Sequence, residues 1–187
     1  MREAEVRTIV SFRPGRRVFL YQTASAAALW WSGTAWARAD DGRRLAFVHT
    51  HTGERLTSVY FRDGNYVSAE LARISHLLRD FRTGETHPID PAVLDILADL
   101  RGLCDRATPY EVISGYRSPA TNAALRSHSD GVAEHSLHMQ GRAIDVRLEG
   151  FPTARLHELA LGMHRGGVGF YPHSDFVHVD SGRVRAW

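Results

Sequence analysis

The segment SLHMQGRAID (residues 136–145) decides both how this chain folds and what chemistry it can offer. It places His138 seven residues before Asp145, with Gly141 between them. A glycine at this point allows a tight turn of the backbone with a positive φ, which would bring the two side chains together. From Ala143 onward the alternation of residue types predicts a β-strand, and Asp145 points to one face of that strand.

A second alternating segment, FVHVD (residues 176–180), predicts another strand. Its valines face the core, so His178 and Asp180 share the opposite face. Two imidazoles and one carboxylate, with a fourth position left to water, form the ligand set of a catalytic zinc site. We therefore expect His138, Asp145 and His178 to face one point.

The rest of the chain shows the patterns of a hairpin and of amphipathic helices. These patterns predict a β-hairpin over residues 44–68, helices over 69–83, 88–104, 121–126 and 154–163, a strand over 110–114 and a glycine-rich return over 166–170. Asp90 followed by Pro91 is typical of a helix start. This order predicts an α+β domain with a small antiparallel β-sheet and helices packed on it.

The first 37 residues are predicted to be an export signal that is separate from the domain over 38–187. The pair Arg16-Arg17 precedes an apolar stretch over residues 24–31, and Ala35-Trp36-Ala37 fits a small-x-small cleavage site. The paired arginines favour the twin-arginine route into the periplasm. The apolar stretch is short for a membrane span, and the alternatives are an uncleaved membrane tether or a buried helix.

Charge and cysteine content exclude several classes of protein. The chain of 187 residues carries a formal charge of +2, but residues 1–37 hold five Arg and two Glu, so the remainder carries −1. A basic nucleic-acid-binding surface is therefore not expected. Cys104 is the only cysteine, so no internal disulfide can form. The sequence contains neither a zincin His-Glu-x-x-His motif nor a serine hydrolase Gly-x-Ser-x-Gly motif.

Several motifs together resemble those of the M15 zinc peptidases. They are the pattern Ser-x-His-x-x-Gly-x-Ala-x-Asp at 136–145, SGYRS at 114–118, and the late His178. The tail over 167–187 and THTGE at 50–54 are most similar to the exported murein endopeptidase K branch, formerly a family of unknown function. The resemblance covers residues 43–187 and implies the fold shared by hedgehog domains and D-Ala-D-Ala peptidases.

The resemblance also implies roles for individual residues. His138, Asp145 and His178 would be the ligands of one Zn²⁺ per chain. Arg117 matches an arginine that holds the transition state or a substrate carboxylate, and an ion pair with a nearby carboxylate is its structural alternative. Ser136 would contact the substrate or orient a ligand.

The general base is the least settled of these roles. The family's acidic-x-x-His pattern places Asp175 before His178, as the residue that would take a proton from water. Alternation turns Asp175 away from the His178 face unless the strand begins after it. Asp180 is the alternative, either as a base or as a partner that fixes the imidazole of His178. A base at neither position is the third possibility.

The expected function is that of an exported zinc metallopeptidase that hydrolyses peptide crosslinks in peptidoglycan. Its partners would be stem peptides and the twin-arginine export machinery, with no nucleic acid, and the protein would be monomeric. Two nitrogen ligands and one oxygen ligand favour zinc over calcium or magnesium. The alternatives are a D-Ala-D-Ala-type carboxypeptidase or dipeptidase, and a non-catalytic, metal-containing module that binds the cell wall. Among the possible crosslinks, the resemblance favours endopeptidase action on those between diaminopimelate residues.

Overall fold

The computed structural model describes residues 42–128 and 131–187, and the predicted export signal lies outside them. The described strands are β1 (Arg43–His49), β2 (Arg55–Arg62), β3 (Asn65–Tyr66), β4 (Tyr110–Ser114), β5 (Ala143–Leu148), β6 (Gly167–Tyr171), β7 (Phe176–Asp180) and β8 (Arg185–Ala186). The helices are α1 (Ser68–Leu77), α2 (Pro91–Leu103), α3 (Pro119–Arg126) and α4 (Thr153–Gly162). Short 3-10 turns span Leu137–Gln140 and Pro172–Ser174. The predicted α+β class is confirmed.

The strands form one sheet in the order β3-β2-β1-β4-β5-β7-β6-β8. Neighbouring strands are antiparallel except for β1 with β4 and β6 with β8, which are parallel. The sheet is therefore larger than predicted, and it is mixed. The glycine-rich return pairs as the full strand β6, and β1 and β4 can be parallel because α1 and α2 lie between them in the chain.

Helices α1, α2 and α4 pack on this sheet and complete the core. Among the described helices, α2 buries the most apolar side chains. Its first turn is capped by Asp90, which accepts a hydrogen bond from the backbone N–H of Ala92. The side chains of Val177 and Val179 are fully buried, as the alternation of that strand predicts. Burial of each such aliphatic side chain contributes about 1.5–3 kcal/mol to the free energy of unfolding. Strands β5 and β7 are therefore rigid supports for the polar side chains that they carry. Within residues 42–128 and 131–187, no helix is both long enough and apolar enough to cross a membrane.

Gly141 closes the turn that carries His138, and only glycine fits there. Its φ of 65° confirms the predicted positive value. A Cβ atom at this position would lie 2.1 Å from the carbonyl oxygen of Pro88. The backbone of Gly141 also accepts a hydrogen bond from the N–H of Asp90. The start of α2 and the turn before β5 are therefore packed against each other without room for a side chain.

A buried carboxylate, Asp80, fixes the loop that carries Arg117. Its oxygens accept hydrogen bonds from the backbone N–H groups of Ser118 at 2.9 Å and Arg82 at 3.0 Å. Burial alone would raise the pKa of Asp80, but these bonds and one from the hydroxyl of Thr121 outweigh burial and lower that pKa to about 2. The ionised carboxylate thus ties the segment after α1 to the start of α3.

We expect the substitution Gly141→Ala to lower the free energy of unfolding by at least about 2 kcal/mol more than Gly150→Ala does. Both residues have positive φ, which costs an alanine about 1–2 kcal/mol, but a Cβ on Gly150 would meet nothing within 4 Å. Chemical denaturation of the two variants measures this difference. Equal losses would contradict the close approach at Pro88.

We expect Asp80→Asn to lower the free energy of unfolding by about 2 kcal/mol at pH 7. Because the folded-state pKa lies below the ordinary 3.8, the stabilisation is present above about pH 4 and is lost as the pH falls through about 2. Denaturation of chelator-treated protein and variant between pH 2 and 7 should show the difference shrinking toward the acid end. An unchanged difference at pH 2 would rule out a role for the ionised form.

Candidate metal centre

Three polar side chains converge on one point beside β5 and β7. The Nε2 atom of His138 lies 3.2 Å from Nδ1 of His178 and 3.2 Å from Oδ1 of Asp145. Nδ1 of His178 lies 2.8 Å from the same carboxylate oxygen. All three side chains are buried. The structure therefore brings together the three residues that the sequence proposed as metal ligands, here called the His-Asp-His cluster.

The secondary structure explains how these residues meet. Asp145 and His178 are direct partners in the antiparallel pairing of β5 with β7, so their side chains stand next to each other. His138 comes from the 3-10 turn that precedes β5. The hydroxyl of Ser136 accepts a hydrogen bond from the backbone N–H of His138 at 3.4 Å and caps this turn. Ser136 thus fixes the turn that carries His138, and it also lines the adjoining pocket.

The outward nitrogen of each imidazole is held by an acceptor. Nδ1 of His138 donates to the carbonyl oxygen of Gly115 at 2.7 Å, and Nε2 of His178 donates to Oδ2 of Asp180 at 3.1 Å. Carbonyl oxygens only accept, so the hydrogen of a neutral His138 sits on Nδ1 and its inward Nε2 is a lone pair. Both nitrogens of His178 face carboxylate oxygens, and its inward Nδ1 is free to bind a cation when the hydrogen of the neutral ring sits on Nε2.

Such an arrangement of acceptors stabilises positive charge at its centre. Burial alone would lower the pKa of His178, but hydrogen bonds to Asp145 and Asp180 outweigh burial and raise that pKa to about 9. Burial alone would raise the pKa of Asp145, whereas the two histidines hold it well below its usual range. A cation between the three inward atoms would satisfy all of them at once.

The dimensions of the cluster suit a small tetrahedral metal ion. Bonds of ~2.0–2.1 Å in tetrahedral geometry place ligand atoms ~3.3 Å apart, and the three inward atoms are 2.8–3.2 Å apart. Imidazole nitrogens and a carboxylate oxygen are the donors that zinc and its neighbours in the transition series accept. The residues present therefore fit such an ion.

Asp180 is placed to position His178. Its Oδ1 accepts hydrogen bonds from the backbone N–H groups of Gly167 at 2.9 Å and Gly182 at 2.8 Å, and its Oδ2 lies 2.6 Å from Nη2 of Arg185. The side chain is fully buried behind the imidazole. Burial alone would raise the pKa of Asp180, but these partners keep it well below its usual range. The geometry thus favours a partner that fixes the imidazole over a base.

Asp175 does not reach the cluster. Its backbone adopts the left-handed conformation with φ 50°, and its side chain turns toward the start of α4. There Oδ1 accepts from the hydroxyl of Thr153 at 2.5 Å, and Oδ2 pairs with Nη1 of Arg147 at 3.3 Å. Asp175 is exposed and does not line the pocket that contains the cluster. Although β7 begins after Asp175, the left-handed backbone there turns its carboxylate toward α4, so the structure does not bring this predicted general base to the cluster.

Arg117 adjoins the cluster and is only partly satisfied. Its Nη2 lies 3.7 Å from Oδ2 of Asp145, and its Nη1 lies 3.5 Å from the side-chain oxygen of Asn122. Its buried Nε has no hydrogen-bond partner among the described residues. Burial lowers the pKa of Arg117, yet a guanidinium stays charged at neutral pH. Arg117 thus places a charged guanidinium with only long contacts at the pocket lining.

The pocket next to the cluster has a volume of about 400 Å³. It is lined by Arg117, Gly131, Val132, Ala133, His135, Ser136, Leu137, Tyr171, Phe176, Arg185 and Trp187, together with the cluster itself. Asn122 was not predicted to be a site residue, but its amide donates to the carbonyl oxygens of Ala133 and Glu134 and so holds one wall of the pocket. Arg185 was not predicted either, although it lies in the tail that contributed to the resemblance.

Comparisons with known proteins show the family of the chain. A family model, M15_2 peptidases, described as peptidoglycan L,D-endopeptidase MepK, matches residues 37–187. The chain is 43% identical over 145 residues to the peptidoglycan L,D-endopeptidase MepK of Escherichia coli K12, and the aligned region covers 78% of this chain and 80% of that protein. It is 41% identical over 146 residues to the probable peptidoglycan L,D-endopeptidase MepK of Haemophilus influenzae, with 78% of each chain covered.

We expect purified, zinc-loaded protein to hold one zinc ion per chain. Asp145→Asn should abolish retention against a competing chelator, and Asp180→Asn should lower zinc affinity by about 10–100-fold because His178 loses its anchor. Asp175→Asn makes the same chemical change outside the cluster and should leave affinity unchanged. Elemental analysis during chelator competition measures all three. A loss in Asp175→Asn equal to that in Asp145→Asn would contradict the assignment of the ligands.

Proposed function

The chain belongs to the M15_2 family of peptidases described as peptidoglycan L,D-endopeptidase MepK, and from this premise we propose that it is an exported zinc metallopeptidase that hydrolyses peptide crosslinks in peptidoglycan. The observation that carries the proposal is the convergence of His138, Asp145 and His178 beside the guanidinium of Arg117. Zinc in this cluster would polarise a peptide carbonyl and lower the pKa of a water molecule.

The chain's own residues supply the geometry for this chemistry. Nε2 of His138, Oδ1 of Asp145 and Nδ1 of His178 would hold the ion, and a site with three protein ligands would leave one position for the reacting groups. Gly115 and Asp180 fix the two imidazole rings through their outward nitrogens. Fixed ligands need little rearrangement as the reaction proceeds, and this favours catalysis.

Arg117 is the residue proposed to bind substrate charge. Crosslinked stem peptides carry free carboxylates, and charge develops on the carbonyl oxygen when a peptide bond is attacked. The forked donors of the Arg117 guanidinium, which lines the pocket, suit either group. Because Asp80 and Asn122 hold its surroundings, the guanidinium is fixed in place before the substrate arrives.

Export is the second part of the proposal. Residues 1–37 are proposed to be a twin-arginine signal that delivers the domain over 38–187 to the periplasm. The support is the order of paired arginines, apolar stretch and Ala35-Trp36-Ala37 in the sequence. A peptidoglycan hydrolase must reach a substrate that lies outside the cytoplasm, so the location and the proposed substrate agree.

Digestion of purified muropeptide dimers tests the proposed function. Zinc-loaded protein should convert dimers to monomers, and chelator-treated protein should not. Mass analysis of the products from dimers with 3-3 links, dimers with 4-3 links and a stem peptide ending in D-Ala identifies the bond that is cut. Zinc bound at one ion per chain without cleavage of any of these substrates would contradict the proposal and favour a cell-wall-binding module.

The substitution Arg117→Lys keeps the positive charge but removes the planar, forked set of guanidinium donors. We expect it to lower kcat/KM for the dimer by about 10²–10³-fold. Arg155→Lys is the matched control, because Arg155 is exposed and pairs with Glu158 on α4. Its kcat/KM should equal that of the unmodified protein. Steady-state kinetics with both variants measures the effect, and a loss of less than about threefold in Arg117→Lys would remove Arg117 from the proposed mechanism.

A further inference from the structure

One wall of the pocket is aromatic and has no role in the function proposed above. It consists of Tyr171, Phe176 and Trp187, and this set is called the aromatic wall. The rings of Tyr171 and Phe176 stack with their centroids 4.6 Å apart. The indole ring of Trp187 lies 5.1 Å from the imidazole of His178, measured between centroids. The aromatic wall thus adjoins the His-Asp-His cluster.

Trp187 is half exposed but held firmly. Its backbone N–H donates to the carbonyl oxygen of Val168, and its carbonyl oxygen accepts from the N–H of Phe170. The indole lies flat on Gly169, where a Cβ atom would come within 2.6 Å of the ring. The guanidinium of Arg185 covers the ring at 4.9 Å from its centroid. A ring with these contacts has a fixed orientation toward the pocket.

The indole in turn fixes the hydroxyl of Tyr171. Nε1 of Trp187 lies 2.8 Å from this hydroxyl oxygen. An indole N–H can only donate, so the hydroxyl is the acceptor and keeps its own hydrogen free. Among the described residues, no acceptor takes that hydrogen. The hydroxyl of Tyr171 is therefore an available hydrogen-bond donor in the wall of the pocket that also contains the cluster and Arg117.

We propose that the hydroxyl of Tyr171 binds the substrate by donating a hydrogen bond to a carbonyl or carboxylate oxygen of the crosslinked peptide, and that Trp187 positions it. This inference rests on the proposed function. A crosslinked stem peptide offers amide carbonyl and carboxylate oxygens, which are acceptors, and Tyr171 and Arg117 are donors of the same pocket. Two donors at fixed positions select the register in which the peptide lies across the cluster.

Binding without turnover separates this role from chemistry. Chelator-treated protein is titrated by calorimetry with a purified muropeptide dimer crosslinked between two diaminopimelate residues. Tyr171→Phe keeps the stacked ring and removes the hydroxyl, so the Kd should rise about 5–10-fold. Trp187→Phe keeps a ring and removes the N–H, so the Kd should rise about 2–5-fold. In the zinc-loaded enzyme, KM for the same dimer should rise by similar factors.

Tyr66→Phe is the matched control, because it removes a tyrosine hydroxyl that donates to Asp95 away from the pocket. Its Kd should be unchanged, and all variants should hold one zinc ion per chain. Equal Kd and KM for Tyr171→Phe and the unmodified protein would overturn the inference while the proposed function stands. Loss of zinc by Tyr171→Phe would also overturn it, since the residue would then act through the cluster. An unmodified protein that neither binds nor cleaves the dimer would remove the proposed function and this inference together.

Discussion

The structure depends on the convergence of three acceptor atoms, from His138, Asp145 and His178, on one buried point. Gly115 and Asp180 accept from the outward nitrogens, and in neutral rings with that arrangement of hydrogens both inward nitrogens are lone pairs. Lone pairs 3.2 Å apart repel each other unless positive charge lies between them. The fold therefore holds the side chains in a geometry that a bound cation completes, and the rigid pairing of β5 with β7 supports it.

The surroundings of this point are built by long-range contacts rather than by one continuous motif. Asp80, which follows α1, fixes the loop of Arg117 through the backbone of Ser118. The close approach of Gly141 to Pro88 joins the start of α2 to the turn of His138. Each contact connects segments that are far apart in sequence. The site is consequently as well fixed as the core around it, which suits a centre that must hold its ligands in place.

Much of the fold and the centre of the site could be predicted from the sequence. Strict alternation around Asp145 and His178 defined both strands and the faces they present, and the capped start at Asp90 defined α2. The predicted helix over 69–83 was too long at its end, because α1 stops at Leu77. Beyond it Asp80 hydrogen-bonds with the loop of Arg117 instead of continuing the helix, although the apolar pattern continues. Local periodicity does not report such a tertiary contact.

Other features lay beyond sequence reasoning for the same reason. The side chain of Asp175 is directed by a left-handed backbone and by Arg147, neither of which the spacing to His178 reveals. The role of Trp187 depends on parallel pairing of β8 with β6. Anomalous diffraction from crystals of zinc-loaded protein, measured at the zinc absorption edge, would locate the metal. We expect one anomalous peak within bonding distance of His138 Nε2, Asp145 Oδ1 and His178 Nδ1. A peak elsewhere, or none between these atoms, would contradict this expectation.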